Sequence, residues 1–303
     1  MKRSLFKRIT LGLILFACLC FMTGGGFSYA LEEPQESEAA TDEAAATEVT
    51  ATEDTATEEM KPAFDIEAAE DSPAWVVDLA ATKEAEASAE AEEAQDVTQL
   101  FVVAVTGGTV ADVSMHQKDA EGTWKQILET TGYIGRNGLG KTKEGDGRTP
   151  IGTYRFTQAF GIAEDPGCMA GYYQVTKDDY WSGDQRKGYR YNEMISIKDY
   201  PDLNKSASEH LIDYNPHYQY CLNISWNEDC TPGEGSAIFL HCLGYNPYTA
   251  GCIAIPEKEM VKVLQNVHSD CVVVIDYMEM INQENEENDQ EEIDPDNGES
   301  QEQ

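Results

Sequence analysis

From Leu31 to Asp96 the chain carries 22 acidic residues against two bases, Lys61 and Lys83, in a background of Ala, Glu and Thr. This run confines any packed core to the residues C-terminal to it. With few large apolar side chains it cannot offset the entropy of ordering its backbone, and like charges push it open. Residues 31–96 are therefore expected to form an acidic disordered linker, with one apolar island, Ser72 to Ala80 around Trp75, able to dock on a surface. Residues 279–303 hold 11 acids and no base and read as an acidic disordered tail. Between the two, residues 97–278 hold 23 acids and 15 bases, a composition suited to one domain with its own core.

Ahead of the linker, Lys2, Arg3, Lys7 and Arg8 precede the apolar run Leu11 to Met22, and small residues follow at Ser28 and Ala30. Residues 1–30 thus read as a signal peptide cut after Ala30 or, left uncut, as an N-terminal membrane anchor. The chain is expected to work outside the cytoplasmic membrane, secreted or membrane-anchored, and to meet membrane only through this segment. A formal net charge of −35 argues against nucleic acid as a partner, because phosphate neutralisation supplies most of that affinity.

Within residues 97–278, Leu100 to Val105 is a short β-branched run closed by Gly107 and Gly108. Trp124 to Leu128, Thr149 to Gly161, Ser236 to Gly244 and Cys271 to Tyr277 are further strand candidates. One helix stands out, with Pro256 in its first turn, Glu257 and Glu259 beside it, and Met260, Val263, Leu264 and Val267 at helical spacing. Short strands with glycine-rich turns predict a mainly β domain, a sandwich or barrel, with a helix after the Cys252 loop.

Six cysteines lie beyond the first segment: Cys168, Cys221, Cys230, Cys242, Cys252 and Cys271. In an exported protein they could form three disulfides, and Cys221 and Cys230, flanking a short polar loop, are the pair most readily joined. A cysteine nucleophile instead needs a thiolate, a base to make it and donors for an oxyanion. His241 ends an apolar strand and Cys252 returns on a loop behind Gly251, so the two can meet across the turn. A low-pKa Cys252 would mark such a site. The alternative is a buried structural cysteine beside an unrelated histidine.

Three stretches in this order resemble the L,D-transpeptidases, the YkuD-type catalytic domain: Gly135 to Tyr154 with its Asp-Gly-x-Thr-Pro-x-Gly, "SAIFLHC" at 236–242, and "TAGCIAIPE" at 249–257. "YWSGDQRKGYRYN" and "SEHL" resemble the middle of one branch. The resemblance implies that Cys252 is the nucleophile, His241 its general base and acid, and the backbone amides of Gly251 and Cys252 the oxyanion donors. Thr249, Ala250, His210, Trp181 and Tyr191 become candidates for substrate contact. It implies a mainly β YkuD-like fold at the cell wall and peptidoglycan L,D-transpeptidase activity, forming 3→3 cross-links through a thioester with release of D-Ala. The partners would be peptidoglycan stem peptides, with carbapenem-type β-lactams as inhibitors and no cofactor. L,D-carboxypeptidase activity at the same thiol, or a non-catalytic wall-binding protein on this fold, are the alternatives. Ala250 stands where the common signature has a second histidine, and Ala254 where an Arg or Asn follows.

Gly135, Gly140, Lys141 and Thr142 fit a phosphate-loop spacing, but no apolar strand is expected directly ahead, "EGDGRTP" blocks a following helix and an exported domain has no nucleotide supply, so a turn near the cleft is expected instead. His241, Cys242 and Cys252 could suggest zinc. Adjacent strand residues point to opposite faces, so Cys242 is assigned to the core and no metal is expected. His116, His217 and His268 are assigned structural or surface roles. The aromatic stretch Tyr172 to Tyr191 is either a pinned loop or a lid.

Overall fold

The computed structural model describes residues 64–90 and 96–282. Its elements are α1 (Ala74–Glu90), β1 (Gln99–Gly107), β2 (Val110–Lys118), β3 (Trp124–Tyr133), β4 (Gly152–Gly161), β5 (Tyr172–Gln174), β6 (Asp179–Gly183), β7 (Tyr191–Ser196), β8 (Glu209–His210), β9 (Cys221–Ile224), β10 (Phe239–Cys242), β11 (Ile253–Ile255), α2 (Glu257–Leu264) and β12 (Val272–Tyr277). The main sheet runs β12-β1-β2-β3-β11-β10-β9-β4-β5, and β4 also pairs with β12. That pairing, Arg155 opposite Val272 through Gly152 opposite Ile275, closes eight strands into a barrel with β5 attached outside. Closure removes the edges an open sheet would expose. Of the aromatic stretch, Tyr172 and Tyr173 join the main sheet in β5, and a second sheet, β7-β6-β8, takes Tyr180, Trp181 and Tyr191, which are buried there rather than carried on a free lid.

The barrel interior follows strand alternation. Phe101, Val103 and Val105 of β1 point inward with Val273 and Ile275 of β12, against Leu240, Ile253 and Ile255. Met260, Val263, Leu264 and Val267 bury one face of α2 in the same core, as their spacing predicted.

Leu100, Val102, Ala104 and Val274 face the other way, and there the expectation of a linker reaching to residue 96 is corrected. Helix α1 covers these residues with Val76, Leu79 and Ala80, whose spacing with Lys83 makes one buried stripe. Asp71 bridges to Lys125, and Ser72 donates its amide to Trp124 O at 2.8 Å. The folded part thus begins by Phe64, because the apolar island finds an outer sheet face that water would otherwise wet. At the other end residues 278–282 are helical and Ile281 is buried in the same cluster, so the tail expected from 279 is corrected over 279–282. The segment expected at 1–30, the linker at 31–63 and 91–95, and the tail at 283–303 lie outside the described residues. No described helix is long and apolar enough to cross a membrane.

All six described cysteines are free thiols. The pairing of Cys221 with Cys230 is not made: Cys221 is buried beside Phe160 and Phe239, whereas Cys230 lines a different, open cavity.

Candidate active site

The loop between β10 and β11 is built to return Cys252 to His241. The two strands run parallel, with Leu240 opposite Ile253 and His241 opposite Ala254. The loop is held by the glycine-rich segment that leads into β4. Thr249 donates its amide to Ile134 O (2.9 Å), and Arg136 donates to Thr249 O (3.0 Å). Thr149 Oγ1 donates to Gly251 O at 2.7 Å and accepts from the Gly135 amide at 2.9 Å. Gly251 has φ +153°, and a Cβ there would lie 2.9 Å from Arg148 O, so the approach of the two loops requires glycine.

Asp146 organises that segment. It accepts the amides of Thr142, Lys143 and Arg148 and the ammonium of Lys141 (3.1 Å); burial opposes its charge, but these donors pull its pKa down to about 2. Lys141 is spent on this pair and no helix follows Thr142. The segment is a cradle for the cysteine loop.

His241 and Cys252 line one cleft of about 340 Å³, together with Thr249, Ala250, Gly251 and Ala254. The His241 Nδ1 lies 2.9 Å from Cys242 O, and a carbonyl only accepts, so Nδ1 carries the hydrogen and Nε2 keeps its lone pair. Cys242 itself turns into the barrel core, away from His241, so the two do not converge with Cys252 on one point. The three described carboxylates that do converge, Glu67, Asp119 and Glu121, form no part of the cleft lining.

The Cys252 thiol donates to Ala237 O (3.2 Å) and its sulfur accepts the Phe239 amide (3.4 Å). Burial, with the Glu209 carboxyl adding to it, pushes this thiol up to about 12. Burial likewise pushes His241 down to about 4; the Cys242 carbonyl opposes the shift and His217 adds to it. Both shifts favour a neutral thiol and a neutral imidazole at rest, so the low-pKa Cys252 that would mark a nucleophile is not what this pocket favours.

The structure places four of the candidate groups differently from the roles expected of them. The Gly251 amide donates to Thr249 Oγ1 (3.0 Å), whose hydroxyl donates in turn to Cys252 O (2.6 Å), so that amide is already used inside the loop. His210 is outside the cleft lining: it bonds Asp213 Oδ2 (2.7 Å) and Lys177 O (2.8 Å) and stacks on Tyr180. Trp181 lies in the packing beneath the cleft, stacked on Phe160. Its Nε1 donates to Asn192 Oδ1 (3.0 Å), which also accepts the Ala237 amide (3.0 Å) and so steadies the φ of +56° at Ala237. Through that chain it fixes the carbonyl that receives the Cys252 thiol. Tyr191, also outside the lining, donates its hydroxyl to Glu144 Oε2, which further accepts from Ser236 Oγ (2.8 Å).

The cleft also contains residues that the sequence did not single out for the site, His217 among them, which was expected to be structural or on the surface. Arg136, Glu144, Glu209, His217 and Tyr218 all line it. Glu209 accepts the Tyr218 hydroxyl (2.6 Å); burial, with Glu144 adding, pushes its pKa up to about 7 although that hydroxyl pulls the other way. Glu209 sits one residue before His210 in "SEHL", and nothing local says which of the two faces the cleft.

A family model described as the L,D-transpeptidase catalytic domain, YkuD, matches residues 112–275, more than half of the chain. A search of curated proteins finds no match.

Proposed function

The chain belongs to the YkuD family of L,D-transpeptidase catalytic domains, and from that premise we propose that it is a cysteine acyltransferase forming 3→3 cross-links in peptidoglycan outside the cytoplasmic membrane. The observation that carries the reading is the cleft shared by Cys252 and His241, with Nδ1 of the imidazole tied to the Cys242 carbonyl and Nε2 left to accept a proton.

Cys252 Sγ attacks the carbonyl of the third, diamino residue of a stem tetrapeptide. His241 Nε2 takes the thiol proton as the C–S bond forms and passes it to the departing D-Ala amine, leaving a thioester. Because both partners rest neutral, the proton moves with the attack. With the Gly251 amide engaged, the Cys252 amide is the backbone donor assigned to the oxyanion. An amine of a neighbouring stem then resolves the thioester into a cross-link, whereas water resolves it as a carboxypeptidase would. The chemistry asks for no cofactor.

Intact mass of the full chain after exposure to a carbapenem tests the nucleophile. A single adduct is expected, absent in Cys252→Ala. Digestion of stem tetrapeptide then separates transfer from hydrolysis: D-Ala with dimer supports the transpeptidase, D-Ala with tripeptide alone the carboxypeptidase. Neither adduct nor D-Ala would leave a wall-binding role.

A further inference from the structure

The turn before β9 brings a second imidazole to the cleft. His217, half-buried in the short 3-10 turn His217–Gln219, lines the same cavity as His241 and Cys252. Its ring centroid lies 5.9 Å from that of His241, with the planes at 74°. Gly244 makes room for it: a Cβ there would lie 1.9 Å from His217 Nε2. Among the described residues no hydrogen bond or ion pair engages this ring. It is thus an imidazole held in the cleft by packing, with no polar partner among the described residues on its ring nitrogens.

The acyl-transfer reading, on which this inference rests, has a task for it. An alkyl amine acceptor titrates at about 10.4 and reaches the cleft as an ammonium. It must lose one proton before its lone pair can attack, and a second once the bond has formed. His241 is poorly placed for the first. Burial pushes it down to about 4 and its Nδ1 is committed to Cys242, while in the acyl transfer its Nε2 serves the sulfur.

We propose that His217 is a second base dedicated to the acceptor half of the reaction. It takes one proton from the incoming ammonium; the freed amine attacks the thioester carbonyl, the N–C bond forms and the C–Sγ bond breaks. The second amine proton returns through His241 to the Cys252 sulfur. His217, reached by solvent at the cleft, releases its own proton to water. One amide, one thiol and one released proton balance the ammonium and thioester consumed.

The test offers the full chain a donor stem tetrapeptide with two acceptors in competition: a stem bearing an alkyl ammonium, and hydroxylamine, which is already neutral at pH 7 and needs no such base. For His217→Gln the ratio of cross-linked dimer to hydroxamate is expected to fall at least tenfold. Gly244→Ala, which keeps the histidine but drives it from its seat, should shift the ratio the same way. Because each ratio is internal to one sample, partial loss of folded protein cancels. An unchanged ratio in both variants overturns the role of His217. Hydroxamate without dimer from the unaltered protein overturns it as well, while leaving the acyl-enzyme intact. Neither product from the unaltered protein overturns the acyl-transfer reading and this inference with it.

Discussion

Thr249 is the residue whose single hydroxyl decides how the cysteine loop is used. It accepts from the Gly251 amide and donates to Cys252 O, closing the turn on itself. Thr249→Val should leave the Gly251 amide unpaired and Cys252 O with only the longer Thr149 hydroxyl contact at 3.4 Å, costing about 1–3 kcal/mol in denaturation. It should also slow carbapenem acylation at least tenfold, whereas Thr249→Ser should restore most of both. Glu209 sets the opposite trend. Its carboxyl raises the Cys252 thiol, and it ionises as pH climbs through about 7, so its inhibitory charge is present above that value and lost below it. Glu209→Gln should therefore speed alkylation of Cys252 by iodoacetamide above pH 7, with a smaller effect at about pH 6, read by mass spectrometry. Equal rates in both proteins at high pH would remove Glu209 from the electrostatics of the thiol.

Helix α1 is the element whose docking changes the boundary of the domain. Leu79 has no exposed surface and packs against the outer face of β1 and β12. Leu79→Ala should cost about 3 kcal/mol, within the usual range for a buried leucine, and a chain starting at residue 97 should lose more and bind a hydrophobic dye. His116 fastens the segment before α1. It is buried between Ser72 Oγ (2.9 Å) and Ser114 Oγ (2.8 Å), with the Trp75 ring edge-on at 6.2 Å. Burial lowers its pKa from 6.5 to about 4, so the folded state holds it neutral. Its contribution is complete above 6.5 and is lost as pH falls toward about 4, a change of roughly 3 kcal/mol. Denaturant midpoints across that window should fall in the native chain and change less in His116→Gln.

At the scale of the whole molecule, the free thiols report the integrity of the barrel. Cys168, Cys221, Cys242 and Cys271 are buried and Cys230 is partly exposed. A native thiol titration should reach Cys230 readily, and those four should respond only on unfolding; a disulfide between Cys221 and Cys230 would remove two thiols from the unfolded total. The mainly β fold, helix α2 and the place of His241 and Cys252 on one cleft were legible in the sequence, because strand alternation, helical spacing and a short loop are local properties. The continuous apolar runs of β1 and β12 also carried a signal of what lies outside the barrel: a strand apolar on both faces needs cover on both, and α1 is that cover. Closure through β4 and β12, the engagement of the Gly251 amide, the withdrawal of His210, Trp181 and Tyr191 from the cleft and the arrival of His217 were decided only by the tertiary structure. Each depends on which partner a polar or apolar group meets from a distant element, and no window of sequence records that.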